Sequence, residues 1–87
     1  MKGKTSSGFE YELDEEALDD YELLEDLCGL DEGDIAKAIG VLDRLLGVEQ
    51  KNRLKEHLRT ESGRVPTSKM MIEIGEIFNS AQAGKNS

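Results

Sequence analysis

Residues 34–47 read DIAKAIGVLDRLLG, and this stretch decides the fold. Its apolar side chains recur at the i, i+3, i+4 and i+7 spacing that lines one face of an α-helix. Asp34 occupies the position of an N-cap, and Gly47 that of the residue just past a helix C-cap. The stretch therefore predicts the main core helix, over about residues 34–46. Its stripe consists of Ile35, Ala38, Ile39, Leu42, Leu45 and Leu46.

Gly40 lies in the middle of this predicted helix, outside the apolar stripe. A glycine at such a position costs about 1 kcal/mol relative to alanine. It reflects either tolerated sequence drift or the close approach of another backbone, and the sequence alone favours drift.

A second amphipathic segment precedes the core helix. Asp19 is the predicted N-cap of a helix over about residues 20–30, with Glu22 three positions on as its capping-box partner. Apolar side chains cover about half of its circumference. They are Tyr21, Leu24 and Cys28 on one face, with Leu23, Leu27 and Leu30 beside them. Residues 14–18 (DEEAL) allow one extra turn of helix before it.

Two further helices are predicted after the core helix. Residues 49–59 have a basic surface and a narrow apolar stripe, which predicts a helix at the periphery. A Val-Pro pair at 65–66 predicts an extended entry to a last helix, over about residues 67–81. The peripheral helix is anchored by Val48, Leu54 and Leu58, and the last helix by Met70, Ile74, Ile77, Phe78 and Ala81. Ile72 lies opposite these anchors, beside Met71, and is either an isolated exposed side chain or part of a contact patch.

The N-terminus predicts a short β-hairpin over about residues 2–13. Apolar residues alternate with glutamates over residues 9–13 (FEYEL), and a Ser-Ser-Gly turn precedes them at residues 6–8. Residues 83–87 predict a flexible polar tail. The predicted fold class is therefore mainly α: one small domain over residues 1–82, in which a short N-terminal β-hairpin is followed by a bundle of about four helices.

Charge is divided unevenly along the chain. Residues 1–34 carry thirteen acids and two lysines, a net −11, whereas residues 35–87 carry six acids and nine Lys or Arg, a net +3. The total of −8 repels phosphate backbones, so we expect no nucleic-acid ligand. The single cysteine rules out an internal disulfide, and no apolar run has the length of a membrane span or a signal peptide. A soluble, cytoplasmic protein is expected.

No arrangement of residues predicts an enzyme. His57 is the single imidazole, and no Ser or Cys nucleophile lies near it in a readable pattern. Cys28 lies on an apolar helix face with acidic surroundings, which do not activate a thiol. The acidic pairs stand at helix starts, where capping explains them, and no His or Cys accompanies them at metal-ligand spacing. We therefore expect no catalytic residue, no metal and no cofactor.

Two segments carry a resemblance to a known family, LDDYEL at residues 18–23 and HLRTESGRVP at residues 57–66. Together with the hairpin, the LLG helix end and the last amphipathic helix, they cover about residues 4–87. Over this length the chain resembles the small tail assembly chaperones of long-tailed phages of Gram-positive bacteria. The resemblance implies a non-enzymatic protein of the host cytoplasm that is absent from the mature virion. It also implies binding to the tape-measure protein and recruitment of the major tail protein during tail assembly.

Surface character suggests where such partners would bind. Amphipathic helices with exposed apolar strips suit a long helical client. The contrast between the acidic half and the basic stretch at residues 51–64 also predicts head-to-tail self-association into a homo-oligomer. The candidate binding residues are the apolar Leu23, Leu27, Leu30, Met71, Ile72 and Phe78, and the basic Arg53, Arg59 and Arg64.

The alternative function is a small acidic phage-encoded inhibitor of a nucleic-acid-binding host protein, acting by charge mimicry. Mimicry needs acids spaced like phosphates on one rigid face, whereas here the acids cluster at helix N-termini. Salt separates the two functions, because a mimic of phosphate loses affinity steeply as ionic strength rises. Apolar binding changes little over the same range.

Overall fold

The computed structural model describes the backbone of residues 1–85 and the side chains as far as Ala81. Within this part of the chain, an N-terminal antiparallel hairpin is followed by four helices, so the predicted fold class is confirmed. The strands are β1 (Lys2–Lys4) and β2 (Glu10–Glu12), and the helices are α1 (Glu15–Leu18), α2 (Tyr21–Asp31), α3 (Lys37–Leu58) and α4 (Thr67–Lys85).

The hairpin covers the helices with one apolar face. Gly3 pairs with Tyr11 at the centre of the ladder, and the turn closes where the Thr5 N–H donates to the Phe9 carbonyl over 2.9 Å. Phe9, Tyr11 and Leu13 are all buried, as their alternation with glutamates predicts. The hairpin therefore completes a core that the helices alone leave open on one side.

The helix count agrees with the prediction, but the helices are divided differently. The segments predicted at residues 34–46 and 49–59 are two parts of α3, which changes direction at Gly47 (φ 79°, ψ 162°). That combination of angles is essentially restricted to glycine, so the predicted helix end falls at the right residue. The short α1, which the sequence allowed as one extra turn, brings the number of described helices to four.

The second part of α3, after Gly47, has the narrow apolar stripe that the sequence predicts, but Val48 does not belong to it. Leu54 is fully buried and Leu58 nearly so, whereas the predicted anchor Val48 is 62 % exposed. The hairpin packs on this part of α3. Gln50 spans the contact, accepting from the Glu12 N–H over 2.8 Å and donating to the Glu12 carbonyl over 2.7 Å.

The first part of α3 begins later than predicted and buries a different stripe. Asp34 is not its N-cap: the helix begins at Lys37 after a turn, and Ala36 stands at the cap position without a side-chain hydrogen bond. The buried arc takes in Val41, which leaves Ile35 and Ile39 59 % and 63 % exposed. The predicted stripe of six was therefore wider than the core needs.

Helix α2 presents one apolar side to the core and a second to solvent. Its N-cap is Asp20 rather than the predicted Asp19, since the Asp20 carboxylate accepts from the N–H groups of Glu22 and Leu23. Asp19 instead ends α1. The inner side consists of the buried Leu23 and the partly buried Leu27 and Leu30, and the outer side of the exposed Tyr21, Leu24 and Cys28.

Gly40 marks the place where α2 and α3 approach each other. A methyl group added at Gly40 would overlap the carboxylate of Asp26 on α2. The close neighbour is thus a side chain rather than the backbone that the sequence argument considered, and glycine makes room for it.

Helix α4 packs against the remaining side of the core. Met70, Ile74, Ile77 and Ala81 are buried as predicted, while Phe78 is half-buried. The helix extends to Lys85, so residues 83–85 belong to it rather than to the expected tail. Residues 86 and 87 of that expected tail lie outside the described part of the chain.

Candidate functional site

The six apolar residues predicted to bind a partner do not form one surface. Leu23 belongs to the core and offers no surface to a partner, and Leu30 packs against the core. Leu27 and Phe78 line a hollow of about 270 Å³ beside α1 and α2. Met71 and Ile72, although adjacent in sequence, face two different clefts.

The three predicted basic residues are partly engaged within the chain. The Arg53 guanidinium lies 5.8 Å from the centre of the Phe9 ring. Arg59 pairs with Glu56 over 2.9 Å and donates to the Gly63 carbonyl over 2.8 Å. The hydrogen bond from Arg59 lowers the pKa of the Glu56 carboxyl and, with its charge, favours both ionised forms. Arg64 is exposed.

A predominantly apolar cleft lies between α3 and α4, and we call it the α3–α4 groove. It has a volume of about 410 Å³. It is lined by Ile35, Ala38, Ile39 and Leu42 with Val65, Met70 and Met71, and Lys51, Lys55 and Thr67 lie along it. Ile35 and Ile39 are largely exposed here, and exposed aliphatic side chains gathered in one concave surface are typical of a binding site.

Two lysines give the groove a positive edge. Lys51 pairs with Asp43 over 2.5 Å, so its charge is largely compensated within α3. Lys55 is exposed and makes no ion pair with any described side chain. The groove therefore offers aliphatic surface together with at least one uncompensated ammonium group.

Sequence reasoning missed this groove because it placed Ile35 and Ile39 in the core. A signal was nevertheless present in the sequence. The apolar stripe of the core helix, together with Val41 just beside it, was too wide for one packing face. A surplus of aliphatic residues on a core helix indicates that part of that helix faces something other than the core.

A second cleft is polar, and we call it the hairpin-turn cavity. It has a volume of about 500 Å³ and lies where the β1–β2 turn meets the end of α3 and the first half of α4. Its lining consists of Ser6 and Ser7 of the turn, His57, Leu58, Arg59 and Thr60 after or at the end of α3, and Lys69, Ile72 and Glu73 of α4.

Glu73 ties the hairpin turn to α4. Although it follows the exposed Ile72 in sequence, this glutamate is only 2 % exposed. Its Oε1 atom accepts hydrogen bonds from the hydroxyls of Thr5 and Ser7, each over 2.8 Å. A buried carboxylate is costly unless hydrogen bonds compensate it, and here two neutral hydroxyls do so. One turn further on, Glu76 accepts from the N–H and hydroxyl of Ser6.

His57 lies beside a serine after all, contrary to the sequence argument. Its Nε2 atom is 3.2 Å from the Ser7 hydroxyl and 3.1 Å from the Ser7 carbonyl oxygen. The Ser7 hydroxyl proton, however, is donated to Glu73, whereas a serine nucleophile donates its proton to the histidine. His57 also packs on Phe9, with ring centres 5.7 Å apart. This arrangement holds the turn in place and does not prepare a nucleophile.

The acidic cluster of α2 is compensated across the α2–α3 contact. Arg44 of α3 lies within 3.5 Å of carboxylate oxygens of Asp20, Glu22 and Asp26. Partial desolvation raises the pKa of Asp20, but hydrogen bonds from Leu23 and Glu22 together with the Arg44 charge outweigh it and lower the pKa below its ordinary value. Capping and pairing thus account for three of the acids of the N-terminal half.

Two classes of site are absent from the part of the chain that the structure describes. Its His, Cys, Asp and Glu side chains form no group of three or more that could hold a metal ion. No described helix has both the length and the apolar character that crossing a membrane requires. Comparison with protein families, curated proteins and solved structures finds no match to this chain.

Proposed function

We propose that this protein is a non-enzymatic phage tail assembly chaperone that binds a helical segment of the tape-measure protein in the α3–α4 groove. The observation that carries the proposal is the groove itself, where Ile35 and Ile39 are more than half exposed beside Met71. The client, the recruitment of the major tail protein, the location in the host cytoplasm and the absence from the mature virion come from the family resemblance.

The chemistry of the groove suits such a client. An amphipathic helix binds by laying an apolar face into a groove, with anchors one turn apart. Covering Ile35 and Ile39 would contribute roughly 1–2 kcal/mol each, because more than half of each side chain is removed from water. Methionine adapts its shape to varied partners, which suits a long client that presents different sequences along its length.

The polar cavity supports a non-enzymatic role. Glu73, Ser7 and His57 make their hydrogen bonds to one another or to the hairpin backbone, which occupies the groups that chemistry would need. The polar side chains of the cavity are therefore engaged in holding the hairpin, whereas the apolar groove is left open.

Charge mimicry of nucleic acid receives less support. Arg44 lies among three of the acids of α2, so that face does not present a run of uncompensated negative charge. A mimic would lose its partner between low and high salt, since exposed charges are screened over about 8–10 Å at physiological ionic strength. Binding that changes little over that range would favour the chaperone.

Co-expression with the tape-measure protein from the same genome tests the proposal. We expect the tape-measure protein to be insoluble alone, soluble with this chain, and recovered in complex with it at both 50 mM and 500 mM NaCl. If it stays insoluble when this chain is in excess, the chaperone function is wrong.

A further inference from the structure

One apolar surface remains outside the proposed client site, and it lies on α2. We call Tyr21, Leu24 and Cys28 the outer strip of α2. Tyr21 and Leu24 are 73 % and 53 % exposed, and Cys28 is exposed as well. Residues three and four apart follow one face of a helix, so the three side chains form a continuous line about 10 Å long. The chain itself leaves this line uncovered.

The outer strip carries acidic edges. The same helical spacing places Glu25 on one side of the strip and Asp31 on the other. Both are exposed, and neither pairs with a cation among the described side chains. This sets them apart from Asp20, Glu22 and Asp26, which surround Arg44.

The outer strip and the α3–α4 groove are complementary. The strip is an exposed apolar line with acidic edges, and the groove is a concave apolar surface with Lys51 and the uncompensated Lys55 along it. Helix α2 packs on its own chain through its Leu23 side, and Tyr21 and Leu24, which also border the hollow beside α1 and α2, stay more than half exposed and open to another molecule. We infer that the outer strip of one copy docks in the α3–α4 groove of the next.

This contact joins two different surfaces, so each copy keeps one free strip and one free groove. Such heterologous contacts build closed rings or open chains rather than stopping at a dimer. The inference deepens the proposed function and rests on it in one respect: the same groove serves both the client and a second copy. A client helix then displaces the neighbouring copy, and client binding and self-association compete.

The natural Cys28 allows a direct test by disulfide cross-linking. In the Ile39→Cys variant, mild oxidation with copper–phenanthroline joins the thiol of Cys28 on one chain to the new groove thiol on the next. The copper reagent and oxygen accept the two electrons, and both thiol protons are released. We expect a ladder of dimers, trimers and longer species on a non-reducing gel.

Single-cysteine chains make the ladder interpretable. The unaltered chain carries only Cys28, and Ile39→Cys combined with Cys28→Ser carries only the groove thiol, so we expect neither to cross-link efficiently. Val48→Cys, at an exposed aliphatic position outside the groove, should give no ladder. Efficient Cys28–Cys28 dimers of the unaltered chain, or a Val48→Cys ladder as strong as that of Ile39→Cys, would overturn the inference.

A charge exchange gives a second, independent readout. Lys55→Glu and Glu25→Lys should each weaken self-association about threefold to tenfold in sedimentation equilibrium at 50 mM NaCl, because each places like charges together. The double variant should recover the affinity of the unaltered chain. A double variant that is weaker than both single variants would show that these edges do not meet.

The two proposals can fail separately. A strictly monomeric chain that still solubilises the tape-measure protein overturns the inference and leaves the chaperone function standing. A chain that gives the ladder but leaves the client insoluble retains the self-association and removes the chaperone function.

Discussion

The two clefts between α3 and α4 differ in whether the chain itself satisfies the groups that line them. In the hairpin-turn cavity, Glu73, Ser7 and His57 bond to one another and to the hairpin, so the chain satisfies its own polar groups. In the α3–α4 groove, Ile35 and Ile39 stay largely exposed, so the chain leaves aliphatic surface uncovered. The same helices thus form one cleft that holds the fold together and one that leaves aliphatic surface exposed.

The difference shows that the types of residue lining a cleft do not by themselves identify it as a catalytic or binding site. The cavity holds the residues that suggest catalysis, yet its buried carboxylate is needed to fix the hairpin. The groove is lined by aliphatic side chains, methionines, two lysines and Thr67, yet it leaves part of its aliphatic surface uncovered.

The largest expected effect is on the stability of the fold, through the hairpin-turn cavity. Glu73→Ala removes a buried acceptor and leaves the hydroxyls of Thr5 and Ser7 without it, so we expect the free energy of unfolding to fall by about 2–4 kcal/mol. Urea denaturation followed by circular dichroism measures it. Glu76→Ala, which loses only exposed bonds to Ser6, should cost less than about 1 kcal/mol. Equal stability of Glu73→Ala and the unaltered chain would mean that the cost of burying the carboxylate cancels its bonds.

The next largest effect is on binding of the tape-measure protein in the α3–α4 groove. Ile39→Asp places a charge in the apolar groove, and we expect it to weaken tape-measure binding about tenfold to a hundredfold, or roughly 1.5–3 kcal/mol. Its stability should change by less than about 0.5 kcal/mol because the side chain is exposed. Val48→Asp, equally exposed but outside the groove, is the matched control and should bind normally. If both variants lose binding equally, the groove is not the site.

The third effect concerns Gly47, where α3 changes direction. Gly47→Ala forces an alanine to φ 79° and ψ 162°, so we expect a loss of about 1–3 kcal/mol in the free energy of unfolding. Gly75→Ala lies in the regular, exposed part of α4, where an added methyl meets nothing, and should stabilise by about 0.5–1 kcal/mol. Effects of the same sign at both glycines would contradict the break in α3.

The smallest effect concerns Asp20, a partly exposed carboxylate in contrast to the buried Glu73. Because folding lowers its pKa, its ionisation stabilises the fold above the unfolded pKa of 3.8, and this contribution is lost as pH falls through the folded pKa. Asn is an equally good N-cap, so Asp20→Asn removes mainly the charge. We expect a slightly lower melting temperature at pH 7 and no difference at pH 2. Glu25→Gln, away from Arg44, should leave the melting temperature unchanged at both pH values.

Much of the fold could be predicted from the sequence because its signals are local. The alternation of FEYEL, the helical spacing after Asp34 and the glycine at position 47 each act over a few residues. The N-cap prediction missed by one residue, since Asp19 and Asp20 are chemically alike and only the end of α1 separates them. The last helix was predicted too short because its apolar spacing ends at Ala81, whereas the helix continues to Lys85.

The site was harder to predict because it depends on contacts distant in sequence. Thr5 and Ser7 meet Glu73 across more than sixty residues, and no local pattern marks that glutamate as buried. The exposure of Ile35 and Ile39 depends on which side of α3 is covered by α2 and the hairpin. Helical spacing identified these residues as apolar but could not say which of them the rest of the chain would leave uncovered.

Thiol protection in the complex tests the central claim most directly. In a Cys28→Ser background, Ile39→Cys and Val48→Cys each provide one reporter thiol, and its rate of alkylation by iodoacetamide is measured with and without the tape-measure protein. At nanomolar concentration, where copies stay apart, we predict at least tenfold slower labelling at position 39 in the complex and an unchanged rate at position 48. Equal rates at position 39 with and without the bound client would contradict the groove as the client site.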